Sequence, residues 1–162
     1  MLARKNVCSG FTLIELVIVI VVLGILAAIA IPKLFSVTEE AEYAAVDNMV
    51  SSLESTLSMY TAKQYLNAQP IAVHNPFDDL SNTPANYEGV NDPVTVVNTP
   101  DGKWSWRPNG NWIMYNPKAA INGGWVNGGE RFIIYQVQPV LDGTDTVGLK
   151  LDPTAAYSWS WQ

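Results

Sequence analysis

The chain has 162 residues, which suits one ordinary domain plus an appendage, and it carries nine basic against fifteen acidic side chains for a net charge of −6. That balance excludes a surface built to neutralise phosphates, so no nucleic-acid partner is expected. Cys8 is the single cysteine, so no intramolecular disulfide can form and the domain must be held by its core alone.

The first element in chain order is a short basic stretch, "MLARKNVCSG", followed directly by an apolar run. From Phe11 to Ile31 only Thr12, Glu15 and Gly24 are not plainly apolar. At about 1.5 Å per residue this run makes roughly 32 Å of helix, enough to cross a hydrocarbon core. The order is wrong for a secretory signal, because the small residues Ser9 and Gly10 precede the apolar run rather than follow it. Cys8 likewise stands before that run, where a lipoprotein signal would place it after. Arg4 and Lys5 hold the amino terminus in the cytoplasm and send everything beyond about Pro32 to the other side. Without these two residues the balance falls to seven basic against fifteen acidic, a net of −8.

Glu15 is the residue a plain membrane anchor does not need. An ionisable group within a span costs about 2.5 to 3.5 kcal/mol on insertion scales, so it calls for a partner or a function, and no partner is expected within the run. A cut between Gly10 and Phe11 creates one: the new α-amino group of Phe11 would lie one helical turn from Glu15, about 6 Å along the axis. Between staggered subunits of a helical bundle, the amine of one chain can meet the carboxylate of the next. A penalty in the monomer then becomes a contact that sets register in a polymer.

The stretch "GFTLIEL", Gly10 to Leu16, with its basic leader before and a span ending at Pro32 after, resembles the processing and assembly signature of type IV pilins and type II secretion pseudopilins. The resemblance implies cleavage after Gly10 by a prepilin peptidase, N-methylation of Phe11, and use of Glu15 and Phe11 in filament assembly. It implies as partners other pilin subunits in a homo- or heteropolymer, an inner-membrane assembly platform and its ATPase. It also implies a precursor in the bacterial inner membrane, with its carboxy-terminal domain in the periplasm, that later joins a filament. Residues 1–10 are then a leader peptide, 11–65 a long helix whose 11–31 half spans the membrane, and 66–162 a globular domain.

Pro32 removes one helical hydrogen bond, which predicts a kink rather than a stop. Beyond it Tyr43, Val46, Met49, Val50, Leu53, Leu57 and Tyr60 recur at steps of three and four, so an amphipathic helix is predicted over 36–65. Glu39, Glu40 and Glu42 read as a solvated helix face, with pairing to basic groups of neighbouring subunits as the alternative.

From about Asn67 prolines, asparagines and glycines take over. "NAQPIAVHNPFDDLSNTPANYEGVNDP" has no helical period and reads as a long connecting loop laid over the surface. Four strands are predicted after it. "KWSWRP" and "NWIMYNP" flank Asn109-Gly110, a two-residue hairpin signal; "RFIIYQVQPV" and "TVGLKLD" flank Asp142-Gly143 in a somewhat longer loop. The third strand is apolar on both faces near its start, which places it centrally. An antiparallel sheet packed on the helix stripe gives an α+β fold, a pilin-like head on a long helix. The proline-rich loop followed by a Trp/Tyr-rich hairpin is similar to the heads of MSHA-type pilin-like proteins. Major pilins usually close a carboxy-terminal loop with a disulfide, which this chain cannot form, and the calcium-loop pattern of the major pseudopilin is not evident. A minor pilin is the expectation.

No residue pattern calls for catalysis. His74, the single histidine, has no cysteine or second histidine at metal-ligand spacing and reads as a loop residue. Asp142 and Asp145 in "DGTDT" are weak calcium candidates, since two carboxylates in a turn-rich segment are more often turn chemistry. No cofactor and no enzymatic activity are expected. Trp104 and Trp106 alternate on one strand face, as do Tyr157, Trp159 and Trp161 at the chain's end, and core packing is their expected role, with sugar or receptor stacking the alternative. Trp125, set in "NGGWVNGG", is the candidate for an exposed aromatic contact on a flexible loop.

Three functions follow: a type IV pilus subunit, minor or MSHA-type, serving surface attachment; a type II secretion pseudopilin; or a monomeric membrane-anchored binder of sugars or surfaces. Only the third would keep residues 1–10 and have no use for Glu15.

Overall fold

The computed structural model describes residues 11–91 and 99–160, and the chain divides into two compact units, Met1–Glu39 and Glu40–Gln162. One helix, α1 (Leu13–Leu66), contributes to both, ending one residue beyond the predicted boundary. It continues through Pro32 without interruption. In the first unit every residue from Phe11 to Thr38 is exposed, including Phe11 at 85%. Among the described residues α1 is the one helix long and apolar enough to cross a membrane.

The second unit is the predicted α+β arrangement. After a 3-10 turn (Pro76–Asp79) come β1 (Tyr87–Val90), β2 (Lys103–Arg107), β3 (Trp112–Asn116), β4 (Ile121–Gly123), β5 (Trp125–Asn127), β6 (Glu130–Asp142), β7 (Asp145–Pro153) and β8 (Tyr157–Trp159). The main sheet runs β1-β2-β3-β6-β5, with β7 pairing β6 beyond β5's short ladder; β4 and β8 form a separate pair. All pairings are antiparallel except β1 with β2. The long strand β6 is central, as its two-faced apolarity predicts. Ile133 and Val137 join the helix-facing core, while Phe132 and Ile134 form a second cluster with Met114 on the opposite face.

The helix-facing core is built from the predicted stripe. Val46, Leu53 and Leu57 are fully buried against Trp104, Trp106, Ile113, Ile133 and Trp159, with Met49, Val50 and Tyr60 partly buried beside them. Burial of each large side chain contributes about 1.5–3 kcal/mol, which is how a small sheet stands without a disulfide.

Three local expectations are corrected. The segment from Asn67 is not a loop laid over the surface: Phe77 is 2% exposed and stacks on Tyr87 at 4.1 Å, and Tyr87 begins β1. Asn75 fixes this turn by accepting from Phe77 N at 3.3 Å and donating to Asp78 at 2.8 Å and Tyr87 Oη at 3.0 Å. Proline content masked an aromatic core segment. The two hairpin loops also exchange lengths. Arg107 pairs with Trp112, so Pro108–Asn111 is a four-residue turn, whereas Asp142 pairs with Asp145, leaving only Gly143 and Thr144 between. Finally "NGGWVNGG" is no flexible loop: it contributes β4 and β5, whose backbones pair with β8 and β6. Gly123 sits at φ +76 with the Ala156 carbonyl where a Cβ would stand, so that chain crossing requires glycine.

Candidate functional site

Thr12 stands one residue before α1 begins and acts as its N-cap. Its backbone N–H donates to Glu15 Oε2 at 2.9 Å, and its hydroxyl donates to the same oxygen at 2.8 Å. In return Glu15 N–H approaches Thr12 Oγ1 at 3.3 Å. This is a capping box: the carboxylate at the third helical position satisfies a backbone donor that the helix itself leaves open. The sequence reading that the segment holds no partner for Glu15 is therefore corrected, since a neutral partner lies three residues back. The Thr-x-x-Glu spacing was the available signal.

The box also places the carboxylate. Glu15 Oε2 is held against the amide of Thr12, the residue bonded to Phe11. The surrounding helix offers no competing charge before Lys33. Gly10 and Cys8 lie outside the described residues.

In the second unit the acidic cluster behaves differently from its predicted solvated role. Glu42 accepts from Tyr115 Oη at 2.6 Å and from the backbone N–H groups of Lys118 and Ala119, each at 2.8 Å. One carboxylate thus ties the helix to the end of β3 and the segment entering β4. Burial first, and then the hydrogen bond to Glu42, holds the Tyr115 phenol well above its usual range. Glu40 is exposed and Glu39 half-buried.

Trp104, Trp106 and Trp159 are buried in the core, and Trp159 meets Tyr43 in a T-shaped contact with ring centroids 6.0 Å apart. Trp161 lies outside the described residues. Trp125 is half-buried in β5, 6.4 Å from Trp112 and 6.1 Å from Phe132 by ring centroids. His74 packs its ring on Tyr60 at 4.0 Å, contacts the Asp79 carboxylate through Nε2, and lies 3.2 Å from the Ala72 carbonyl through Nδ1. Asp142 and Asp145 face each other across the last rung of the β6–β7 hairpin, and among the described residues no group of three His, Cys, Asp or Glu side chains is arranged to hold a metal.

Residues 5–31 match the family model described as the prokaryotic N-terminal methylation motif. The chain is 46% identical over 55 residues to the type IV narrow pilus major component of Thermus thermophilus, a match covering 34% of this chain and 47% of that protein. It is 44% identical over 57 residues to type II secretion system core protein G of Aeromonas hydrophila, covering 35% of this chain and 40% of that one. The corresponding protein of Pseudomonas aeruginosa is 40% identical over 52 residues, covering 32% and 37%. The chain thus spans less than half the length of these curated relatives. No solved structure matches it. Residues 5–31 are a methylation-type segment of the kind type IV pilins and type II pseudopilins carry, and proteins of that family are structural rather than enzymatic.

Proposed function

We propose that this chain is a prepilin, cut between Gly10 and Phe11, N-methylated at Phe11 and polymerised through its apolar helix as a minor or MSHA-type subunit of a type IV pilus serving surface attachment. The observation that carries the proposal is the conjunction at the helix start. A cleavage-type glycine, an aromatic first residue and a glutamate in one register fall inside the methylation motif, and its apolar side chains from Phe11 to Ile31 are all exposed. Such a helix has two environments that remove its surface from water: lipid before assembly and other helices after it. Glu15 is the one carboxylate from Phe11 to Thr38, and the capping box holds it against the Thr12 amide, one residue from the proposed new terminus. Prepilin peptidase, the platform and its ATPase are the proposed processing and assembly partners. The inner membrane is the proposed first location and the cell surface the second. The single cysteine supports the minor-subunit assignment, and the Trp-rich β2–β3 hairpin supports the likeness to MSHA-type heads.

A second reading, a pseudopilin of a type II secretion system, is favoured by the core protein G relatives. The experiment that tests the proposal is intact-mass analysis and amino-terminal sequencing of the chain from its own membranes and from sheared surface filaments. N-methylated Phe11 at low abundance in sheared filaments is the expected result. The same processed terminus found only with the secretion machinery would transfer the chain to the pseudopilins. A chain beginning at Met1 and confined to membranes would overturn both readings in favour of a monomeric anchored binder.

A further inference from the structure

The sheet face turned away from α1 carries a row of aligned polar and aromatic side chains. Strand register aligns Arg107 with Trp112, Trp112 with Gln136, and Gln136 with Asp152, so these four share one line and one face across β2, β3, β6 and β7. Two residues further along β6, Gln138 aligns with Lys150. Arg107 is buried at 4%, whereas Trp112, Gln136, Gln138 and Asp152 are half-buried and Lys150 is exposed.

We propose that this row is a shallow site for an uncharged pyranose oligosaccharide with equatorial hydroxyls. Its centre is the Trp112 indole. A Cβ on Gly110 would come within 2.9 Å of that ring, so the turn backbone lies directly against it and fixes its plane. The second indole, Trp125, is tilted 55° to it at 6.4 Å. Beside Trp112 the amides are also fixed: Gln136 Nε2 donates to the Gly110 carbonyl at 2.9 Å, and Gln138 Nε2 donates to Gln136 Oε1 at 2.9 Å. The relay leaves the Gln138 amide oxygen as its outer end.

The charge pattern selects the ligand class. Lys150 and Asp152 pair with each other at 2.5 Å and cancel, and the Arg107 cation is buried, so the row presents no net charge to solvent. An acidic peptide or anionic glycan would need an open cation there. A pyranose whose hydroxyls are all equatorial instead presents a flat C–H face to an indole and a rim of donors and acceptors to fixed amides. A merely solvated sheet face would alternate polar residues outward, but it gives no reason for a turn backbone to clamp an indole among pre-oriented amides. The inference is independent of the filament reading, because the site lies within one chain.

The test is isothermal titration of the full chain, held in octaethylene glycol monododecyl ether to avoid sugar detergents, with cellohexaose. Saturable binding with Kd on the order of 1 mM is expected. Gln138→Ala should weaken it about fivefold without moving the melting temperature, and Trp112→Ala should abolish it. If Trp112→Ala does not fold, Gln138→Ala alone decides. Absence of saturable heat up to the solubility limit of cellohexaose, unchanged affinity in Gln138→Ala, or equal affinity for hexagalacturonate would each overturn the proposal.

Discussion

Before Glu40, helix α1 carries Leu, Ile and Val on all sides, and every residue from Phe11 to Thr38 is exposed. After Glu40 the same helix buries Val46, Leu53 and Leu57 almost completely under a sheet. The backbone type is unchanged, so the difference lies in how apolar residues are distributed around the axis. An all-round apolar helix needs lipid or other helices, whereas a striped one needs a single partner surface, which the same chain supplies. The polar groups divide in the same way. Among the described residues Glu15 has only Thr12 as a partner, while Glu42 collects three donors from a distant part of the sequence. One carboxylate is satisfied within a single helical turn; the other is satisfied by groups brought together by the fold.

The sharpest way to break this comparison is at Glu15. Glu15→Ala should leave membrane insertion intact or improved, because a charge leaves the span, and should reduce filament incorporation to near zero. Thr12→Val separates the two roles of the carboxylate. It deletes the hydroxyl partner but not the charge, so incorporation should fall much less than in Glu15→Ala. Shearing and immunoblotting of surface filaments read both variants, and equal losses would mean that the capping box, not a contact between subunits, explains Glu15.

A smaller effect is expected from the second unit. Trp104 is 1% exposed and packs on Tyr115 at 4.7 Å and Phe77 at 6.3 Å, so Trp104→Ala should destabilise the second unit by about 3–5 kcal/mol. Membrane insertion of the first unit should be unaffected. Thermal melting monitored by near-ultraviolet circular dichroism, alongside a carbonate-extraction assay for insertion, checks both halves. Loss of insertion together with the melt would show that the two units depend on one another more than their separate chemistries imply.

How much of this could be read from sequence follows the same division. The first unit was legible because its signals are local: a leader, a glycine, an aromatic, a glutamate and an unbroken apolar run all lie in one register. Even the partner of Glu15 is written locally, as Thr-x-x-Glu, although it is a neutral residue and not a cation. In the second unit the stripe from Tyr43 to Tyr60, the four long strands and the two-faced character of β6 were legible from periodicity. What was not legible depends on distant pairing. Phe77 looked like part of a surface loop because nothing nearby announces its stack on Tyr87. The strand character of Ile121–Asn127 comes from partners near residues 130 and 158, and the two short ladders override a glycine-rich composition that favours loops. Glu42 was unreadable for the same reason, since its donors lie more than seventy residues away.

The smallest effect concerns the Glu42 tether and sharpens the comparison through pH. In the folded chain burial and the Glu42 hydrogen bond hold Tyr115 neutral well above its ordinary range, and burial together with the Tyr157 hydroxyl, 2.8 Å away, does the same for Tyr135. In the unfolded chain both phenols ionise near pH 10. Because the folded state keeps protons that the unfolded state releases, this stabilisation is complete below about pH 10 and is lost progressively as pH rises beyond it. Tyr115→Phe should therefore cost about 1 kcal/mol at neutral pH, where it removes a hydrogen bond to a half-buried carboxylate, and should flatten the alkaline decline of stability. Urea melts at pH 8 and pH 11 measure both effects, with Tyr135→Phe as the parallel case that leaves Glu42 untouched. An alkaline limb unchanged in both variants would mean that neither phenol is held neutral by the fold. A limb changed only by Tyr135→Phe would mean that the Glu42 tether opens before Tyr115 would otherwise titrate, making the segment after β3 the first part of the second unit to give way.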